Sequence, residues 1–320
     1  SNARVRPCWR WPGEPEPMNP LTWYDAPVRA LLGGVFVLLV IASLIGRGLA
    51  RRPQDGAGRA TIENLNARIR AWWLMCALVA GALAGGLSGA VLLFGAISFL
   101  ALREFVTLTP TRRADHEPLF WAFFVFLPLQ YWLVGTGWYG MFTILIPVYG
   151  FLFLPLRSAL NADAQGFLAR TARTQWALMV CVYCVSHAPA LLTLDLPGFD
   201  GSRVALLLWL LLVVQLSDVL QYVWGKLAGR RPIVPRLSPN KTVEGFAGGI
   251  GSASLIGTLL APVTPFTHGQ AFGIALLVCL LGFAGGLVMS AIKRDAGIKD
   301  FGAMIEGHGG VLDRIDSLCF

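Results

Sequence analysis

Residues 269–291 read G-Q-A-F-G-I-A-L-L-V-C-L-L-G-F-A-G-G-L-V-M-S-A, without one charged side chain. A bilayer core takes about 20 residues of helix. Backbone polar groups in lipid must find partners within their own segment, so such a run reads as a transmembrane helix. Eight similar runs precede it, at 28–46, 71–87, 88–103, 118–135, 137–156, 174–196, 203–224 and 243–261. The second and third form one uncharged stretch broken by Gly85-Gly86 and Ser88-Gly89. Composition agrees: the 320 residues are 55% hydrophobic and 14% charged, with mean hydropathy +0.62. Soluble domains carry about 25% charged residues. The fold class is therefore all-α: a polytopic helical membrane protein of about nine spans.

Charge in the connections orients these spans. Arg47, Arg51, Arg52, Arg59, Arg68 and Arg70 fill the first connection, and Arg103, Arg112 and Arg113 the next of that set. Arg157, Arg170 and Arg173 follow, then Lys226, Arg230, Arg231, Arg236 and Lys241, then Lys293, Arg294 and Lys299. The alternate turns, near Gly86, Gly135, Gly198 and Pro265, hold almost none, although Arg203 borders one. The positive-inside rule makes the basic side cytoplasmic. The N-terminus then lies outside, a placement that Arg4, Arg6 and Arg10 do not favour. The net charge of +8 reads as topology and attraction to anionic lipid. It does not read as nucleic-acid binding, because the basic residues lack interleaved aromatics.

Three regions follow. Residues 1–25 are polar and Pro-rich, lack a cleavable signal pattern, and begin Ser1-Asn2-Ala3 like an expression scar, with Met18 a candidate natural start. Residues 26–200 hold the N-terminal helices, and residues 201–320 a C-terminal catalytic region. Cys76, Cys181, Cys184 and Cys279 lie in apolar runs. Cys181-x-x-Cys184 has no second pair, so these cysteines read as small hydrophobes rather than a redox or metal motif.

Directly after the quoted run comes the segment richest in chemistry, S-A-I-K-R-D-A-G-I-K-D-F-G-A-M-I-E-G-H-G-G-V-L-D-R-I-D-S-L-C-F, Ser290 to Phe320. It holds the cations Lys293, Arg294 and Lys299, the turn His308-Gly309-Gly310, and the carboxylates Asp313 and Asp316 three residues apart. On a helix that spacing projects both from one face, where they can hold Mg²⁺ together with phosphate oxygens. Arg314 can neutralise one Asp or meet phosphate. Glycines accept positive φ at little cost, so the Gly pair can turn backbone N–H groups toward an anion. Snorkelling and anchoring are the weaker reading of Lys293 and Arg294, and Asp300, which gains nothing from anchoring, is a third candidate metal ligand. At a membrane edge, this set points to chemistry on a lipid phosphate.

Two further features join it. L-S-P-N-K-T-V-E-G-F, Leu237 to Phe246, reads as a turn through Pro239 into a helix start, with Glu244 in the first turn. Ser238, Asn240, Lys241 and Thr242 at such a terminus also suit an anion. Asp218 sits in an apolar span, where a carboxylate is costly and is a functional candidate by default. Lys226 offers it a counter-ion.

These strings resemble the phosphatidate cytidylyltransferases, or CDP-diacylglycerol synthases. The tail S-x-I-K-R-x-x-x-x-K-D-x-G-x-x-I-x-x-H-G-G-V-x-D-R-I-D is similar to that family's signature, as are S-P-N-K-T-V-E-G-F-x-G-G and D-x-x-x-Y-x-x-G upstream. Together they span residues 218 to 317. The chain departs from the pattern at Glu306, where the family has Pro or Gly, and it stops at Phe320, where the family continues into a final helix. The resemblance implies CTP and phosphatidic acid as substrates, CDP-diacylglycerol and pyrophosphate as products, and Mg²⁺ as cofactor, with or without a second, monovalent cation. It implies Asp300, Asp313, Asp316 and Asp218 at the metal, and Lys293, Arg294, Lys299 and Lys241 on phosphates. Ser238, Asn240, Thr242, Glu244, Arg314 and His308-Gly309-Gly310 would bind or orient substrate. The expected setting is the bacterial inner membrane, with the site facing the cytoplasm, membrane lipid as neighbour, no nucleic-acid partner, and homo-oligomer formation left open. The nearest rival is a CTP-dependent lipid-alcohol kinase, which transfers the γ-phosphate. A transporter is a further rival, against which stands the absence of paired repeat halves.

Overall fold

The structure, a computed structural model, describes residues 24–51, 56–108, 111–196, 199, 201–302 and 309–320. The helices are α1 (Ala26–Ala50), α2 (Gly56–Ala84), α3 (Gly86–Thr107), α4 (Arg113–Thr136), α5 (Tyr139–Leu160), α6 (residues 167–190), α7 (Arg203–Ala228), α8 (Val243–Leu259), α9 (His268–Asp295) and the short α10 (Leu312–Ile315). Between α7 and α8, β1 (Pro232–Val234) and β2 (Ser238–Thr242) pair antiparallel, Pro232 opposite Thr242 and Val234 opposite Ser238.

Seven of these helices are long and apolar enough to cross a membrane: α1, residues 62–84 of α2, α3, α4, α5, α7 and α9. The other two expected spans are helical as well. The α8 helix has only 17 residues, and α6 opens on the polar segment F-L-A-R-T-A-R-T-Q. The uncharged stretch across 71–102 does divide: Gly86 takes φ +67°, which ends α2 and starts α3.

Local chemistry sets the helix starts. Asp25 caps α1 by accepting from Val28 N at 3.1 Å. Ser202 caps α7. Thr267 and Gln270 form a capping box on α9. Thr242 caps α8, accepting from Gly245 N at 3.1 Å. The string from Leu237 to Phe246 is thus a strand that turns into a helix at Val243, as its Thr and Glu predict, but its first half is extended.

Two apolar cores result. One joins α3, α4, α5 and α6 with the start of α7 and with Phe301, Leu312, Ile315 and Cys319 of the tail. The other packs α7, α8 and α9 around Trp209, Ile250 and Phe283, and Trp209 Nε1 donates to Gly257 O at 2.9 Å. The α7–α8 contact is very close: a Cβ on Gly249 would stand 2.5 Å from the Gln221 backbone. Small residues permit this approach. Polar contacts gather the basic connections on one face. Arg170 binds Asp115 at 2.8 Å, Arg157 pairs with Glu117, and Arg294 Nε donates to Leu237 O at 3.3 Å.

Candidate active site

The tail packs into the first core, and three elements hold it. From α3, the buried Glu104 presents both oxygens to the start of α10: Oε1 accepts from Val311 N at 2.9 Å and Oε2 from Leu312 N at 2.8 Å. Phe105 stacks on Phe301, ring centroids 6.4 Å apart. From α9, Gly282 and Gly285 make room for the backbone: Cβ atoms there would stand 3.1 Å from Ser317 O and 2.8 Å from Asp316 O. From α7, Gln215 Nε2 donates to Arg314 O at 3.5 Å.

Within this frame the two tail carboxylates take different partners. Asp313 faces its own loop: Oδ1 meets Lys293 Nζ at 2.9 Å, and Oδ2 accepts from Phe301 N at 2.8 Å and Gly310 N at 3.0 Å. Gly309 takes φ +80°, and a Cβ there would stand 2.7 Å from Asp313 Oδ2, so glycine is required on two counts. Asp316 faces α7. Ser317 Oγ donates to Asp218 Oδ2 at 2.6 Å and lies 3.4 Å from Asp316 Oδ1, while Ser317 N donates to that same oxygen at 2.9 Å. One hydroxyl therefore bridges the carboxylates of Asp218 and Asp316.

Lys241 reaches this pair from β2. Its Nζ stands 4.7 Å from the centroid of the Phe283 ring, and a Cβ on Gly286 would come within 2.7 Å of it. Burial pushes the Lys241 ammonium below the usual lysine range, and Asp316 and Asp218 pull it back up. Burial pushes Asp316 above the usual carboxylate range, opposed by Lys293 and Lys241. Half-buried Arg314 is pushed down by its own burial and raised again by Asp313 and Asp316.

The remaining candidates spread around this centre. Arg294 spans the hairpin and the tail, its Nη1 donating to Ile298 O at 3.0 Å. Lys299 and Asp300 are exposed on the bend after α9, as is Asn240 on β2, whereas Ser238 is half-buried. Glu244 holds the hairpin, accepting from Arg230 N at 2.9 Å and Arg231 N at 3.2 Å. His308 lies outside the described residues, as does Glu306. Among the described residues, no three His, Cys, Asp or Glu side chains gather closely enough to hold one metal ion. Of the expected trio, Asp313 is held by an ammonium and two backbone N–H groups, and Asp300 and Asp313 both border Gly309, whose Cβ would stand 3.3 Å from Asp300 Cβ and 2.7 Å from Asp313 Oδ2. Asp218 and Asp316 are brought together through Ser317.

Two residues escaped the sequence reading. Ser317 directly follows D-R-I-D, but a lone serine carries no signal. Glu104 did carry one: it is a carboxylate near the end of an apolar span, the same feature that singled out Asp218.

Half-buried carboxylates and ammonium groups thus meet where the tail packs on the C-terminal halves of α7 and α9. Comparison with known proteins narrows the reading of this site. Residues 66–320 match the cytidylyltransferase family. The chain is 40% identical over 293 residues to the uncharacterized protein YnbB of Escherichia coli K12, covering 90% of this chain and 94% of that one. It is 45% identical over 113 residues to the phosphatidate cytidylyltransferase of Mycobacterium leprae, 34% of this chain and 35% of the relative. Against the phosphatidate cytidylyltransferase of Staphylococcus aureus strain COL the identity is 29% over 190 residues, 57% of this chain and 73% of the relative. The family match takes in the Ser317-bridged carboxylates, the hairpin and the tail alike, and the chain belongs to the cytidylyltransferase family.

Proposed function

We propose that this chain transfers the cytidylyl group of CTP to phosphatidic acid in the cytoplasmic membrane. A phosphate oxygen of the lipid attacks the α-phosphorus of CTP. The bond between that phosphorus and the bridging oxygen of the β-phosphate breaks. The products are CDP-diacylglycerol and pyrophosphate. The observation that carries this reading is the Asp218–Ser317–Asp316 bridge with Lys241 beside it, against the C-terminal halves of α7 and α9. The names of the M. leprae and S. aureus relatives support the lipid substrate.

The donor set suits magnesium, which binds through one or two carboxylates and completes its shell with water and substrate phosphate. Asp218 and Asp316 are the residues that would hold it, and the ion, when bound, supplies charge neutralisation to the phosphates. The protein's share is positioning and electrostatics. Lys241, from the hairpin, neutralises phosphate charge where acyl chains still lie among apolar helices. Lys293 fixes Asp313, whose other oxygen holds the backbone N–H groups of Phe301 and Gly310. Arg294, Lys299 and Arg314 line the approach from water. Ser238, Asn240 and Thr242 place neutral polar groups on the same hairpin as Lys241. The distribution of Lys and Arg supports a site facing the cytoplasm.

The test uses the full chain in lipid–detergent micelles with phosphatidic acid, Mg²⁺ and CTP labelled at the α-phosphorus. Labelled lipid should form together with pyrophosphate, stop on chelation and resume with added Mg²⁺. Asp316→Asn should lower the rate by about 100-fold. Label that reaches lipid only from γ-labelled CTP would replace this reading with a kinase.

A further inference from the structure

The signature segments do not supply every cation at this mouth. Arg68, from α2, has its Cζ 5.9 Å from the centroid of the Tyr222 ring, and Lys226 Nζ lies 5.8 Å from the same centroid. Tyr222 follows Asp218 by four residues and Lys226 follows Tyr222 by four, so the three form one stripe along α7. That stripe runs from the Ser317-bridged carboxylates outward to the end of the helix at Ala228. Tyr222 is 56% exposed, so its ring and the two cations are not covered by the rest of the chain.

Neither Arg68 nor Lys226 forms an ion pair with a carboxylate among the described residues. Elsewhere on this face arginines do: Arg112 with Asp163, Arg157 with Glu117, Arg170 with Asp115. Orientation in the membrane explains a cation in this connection. It does not explain why α2 and α7 bring two cations onto one ring beside the buried carboxylates. A guanidinium and an ammonium that share one ring and pair with no carboxylate among the described residues suit an anion with several oxygens, and a guanidinium binds phosphate in a bidentate fork.

We propose that Arg68, Tyr222 and Lys226 form an anion-binding lip, which takes a phosphate group of an incoming substrate one helical turn outside Asp218. This rests on the cytidylyl-transfer reading for its substrates. The shared chemistry is a phosphate ester with at least two free oxygens, and its source is either the polyphosphate of the nucleotide or the headgroup of the lipid.

The experiment compares the wild type with Arg68→Ala, Lys226→Ala and Arg68→Lys, each shown to keep the wild-type melting temperature. CTP is titrated at saturating phosphatidic acid, and phosphatidic acid at saturating CTP. The lip predicts that Arg68→Ala raises one of the two KM values about tenfold, with a smaller change in kcat, and that Arg68→Lys recovers part of the loss. A rise for CTP identifies the nucleotide as occupant, and a rise for phosphatidic acid identifies the lipid. KM values unchanged for both substrates in both alanine variants overturn the lip. Should the wild type form no CDP-lipid, the lip is still tested by binding of inorganic pyrophosphate to the same proteins. About tenfold weaker binding by Arg68→Ala upholds it, and equal binding overturns it.

Discussion

Glu104 shows how a single side chain couples the N-terminal helices to the tail. Its carboxylate satisfies two backbone N–H groups at the start of α10, a helix too short to hold itself in place, across more than 200 residues of chain. Removing it leaves two donors without a partner in a buried setting. Glu104→Ala should therefore destabilise the protein by roughly 2–3 kcal/mol, since bonds to a charged acceptor are among the stronger ones. Glu104→Gln keeps one acceptor and should lose about half as much. Melting in micelles reads both, and an unchanged alanine variant would show that α10 holds without this anchor. Asp316 gives a prediction of a different kind. Burial raises its carboxyl above the ordinary value of 3.8, so the folded state holds that proton more tightly than the unfolded chain. As pH rises from 3.8 through the raised value, ionisation of Asp316 removes stability from the metal-free protein. Melting temperature measured against pH should fall over that window in the wild type, and fall less in Asp316→Asn. Equal slopes would mean that Lys293 and Lys241 already cancel the effect of burial. At this scale the sequence was legible where a residue is costly in its setting, as Asp218 is. The hydroxyl of Ser317 was not, because its meaning comes from α7, 99 residues away.

At the level of elements, glycine decides how closely helices meet, and the same letter does different work along α8. A Cβ on Gly249 would press to 2.5 Å against the Gln221 backbone of α7, whereas one on Gly251 would meet nothing within 4 Å. Gly249→Ala should cost about 1–3 kcal/mol through overpacking. It should also lower activity, because α8 follows directly on β2 and carries Lys241 away from Asp218 when it is pushed outward. Gly251→Ala should be neutral or stabilising by up to about 1 kcal/mol from helix propensity alone. Paired melting and rate measurements check the contrast, and equal behaviour of the two variants would refute close packing as the reason for Gly249. Sequence composition marks Gly- and Ala-rich stretches as packing surfaces, but it cannot say which glycine faces a neighbour. The π-helical segments at 122–126, 145–150 and 179–184 were likewise not legible. They widen helices whose sequences read as ordinary apolar runs.

For the whole molecule, apolar run length located the helices because lipid imposes it, and the charge pattern placed their basic connections together because lipid forbids charge in between. Span number was less legible. Length alone does not separate a 17-residue α8, packed between α7 and α9, from a helix that faces lipid along its full length. Orientation follows from the same charge pattern, and it can be measured. Arg113 opens α4 and Lys299 follows α9, both among the basic residues of one set of connections, whereas Thr267 precedes α9 at its opposite end. All three are exposed, while the described native cysteines are buried or half-buried. Arg113→Cys and Lys299→Cys should resist a membrane-impermeant maleimide in intact cells and react once the membrane is opened. Thr267→Cys should react from outside at once. A site that draws a water-soluble nucleotide must face the compartment where that nucleotide is made. Labelling of Lys299→Cys from outside would therefore count against both the orientation and the nucleotide chemistry argued for this face.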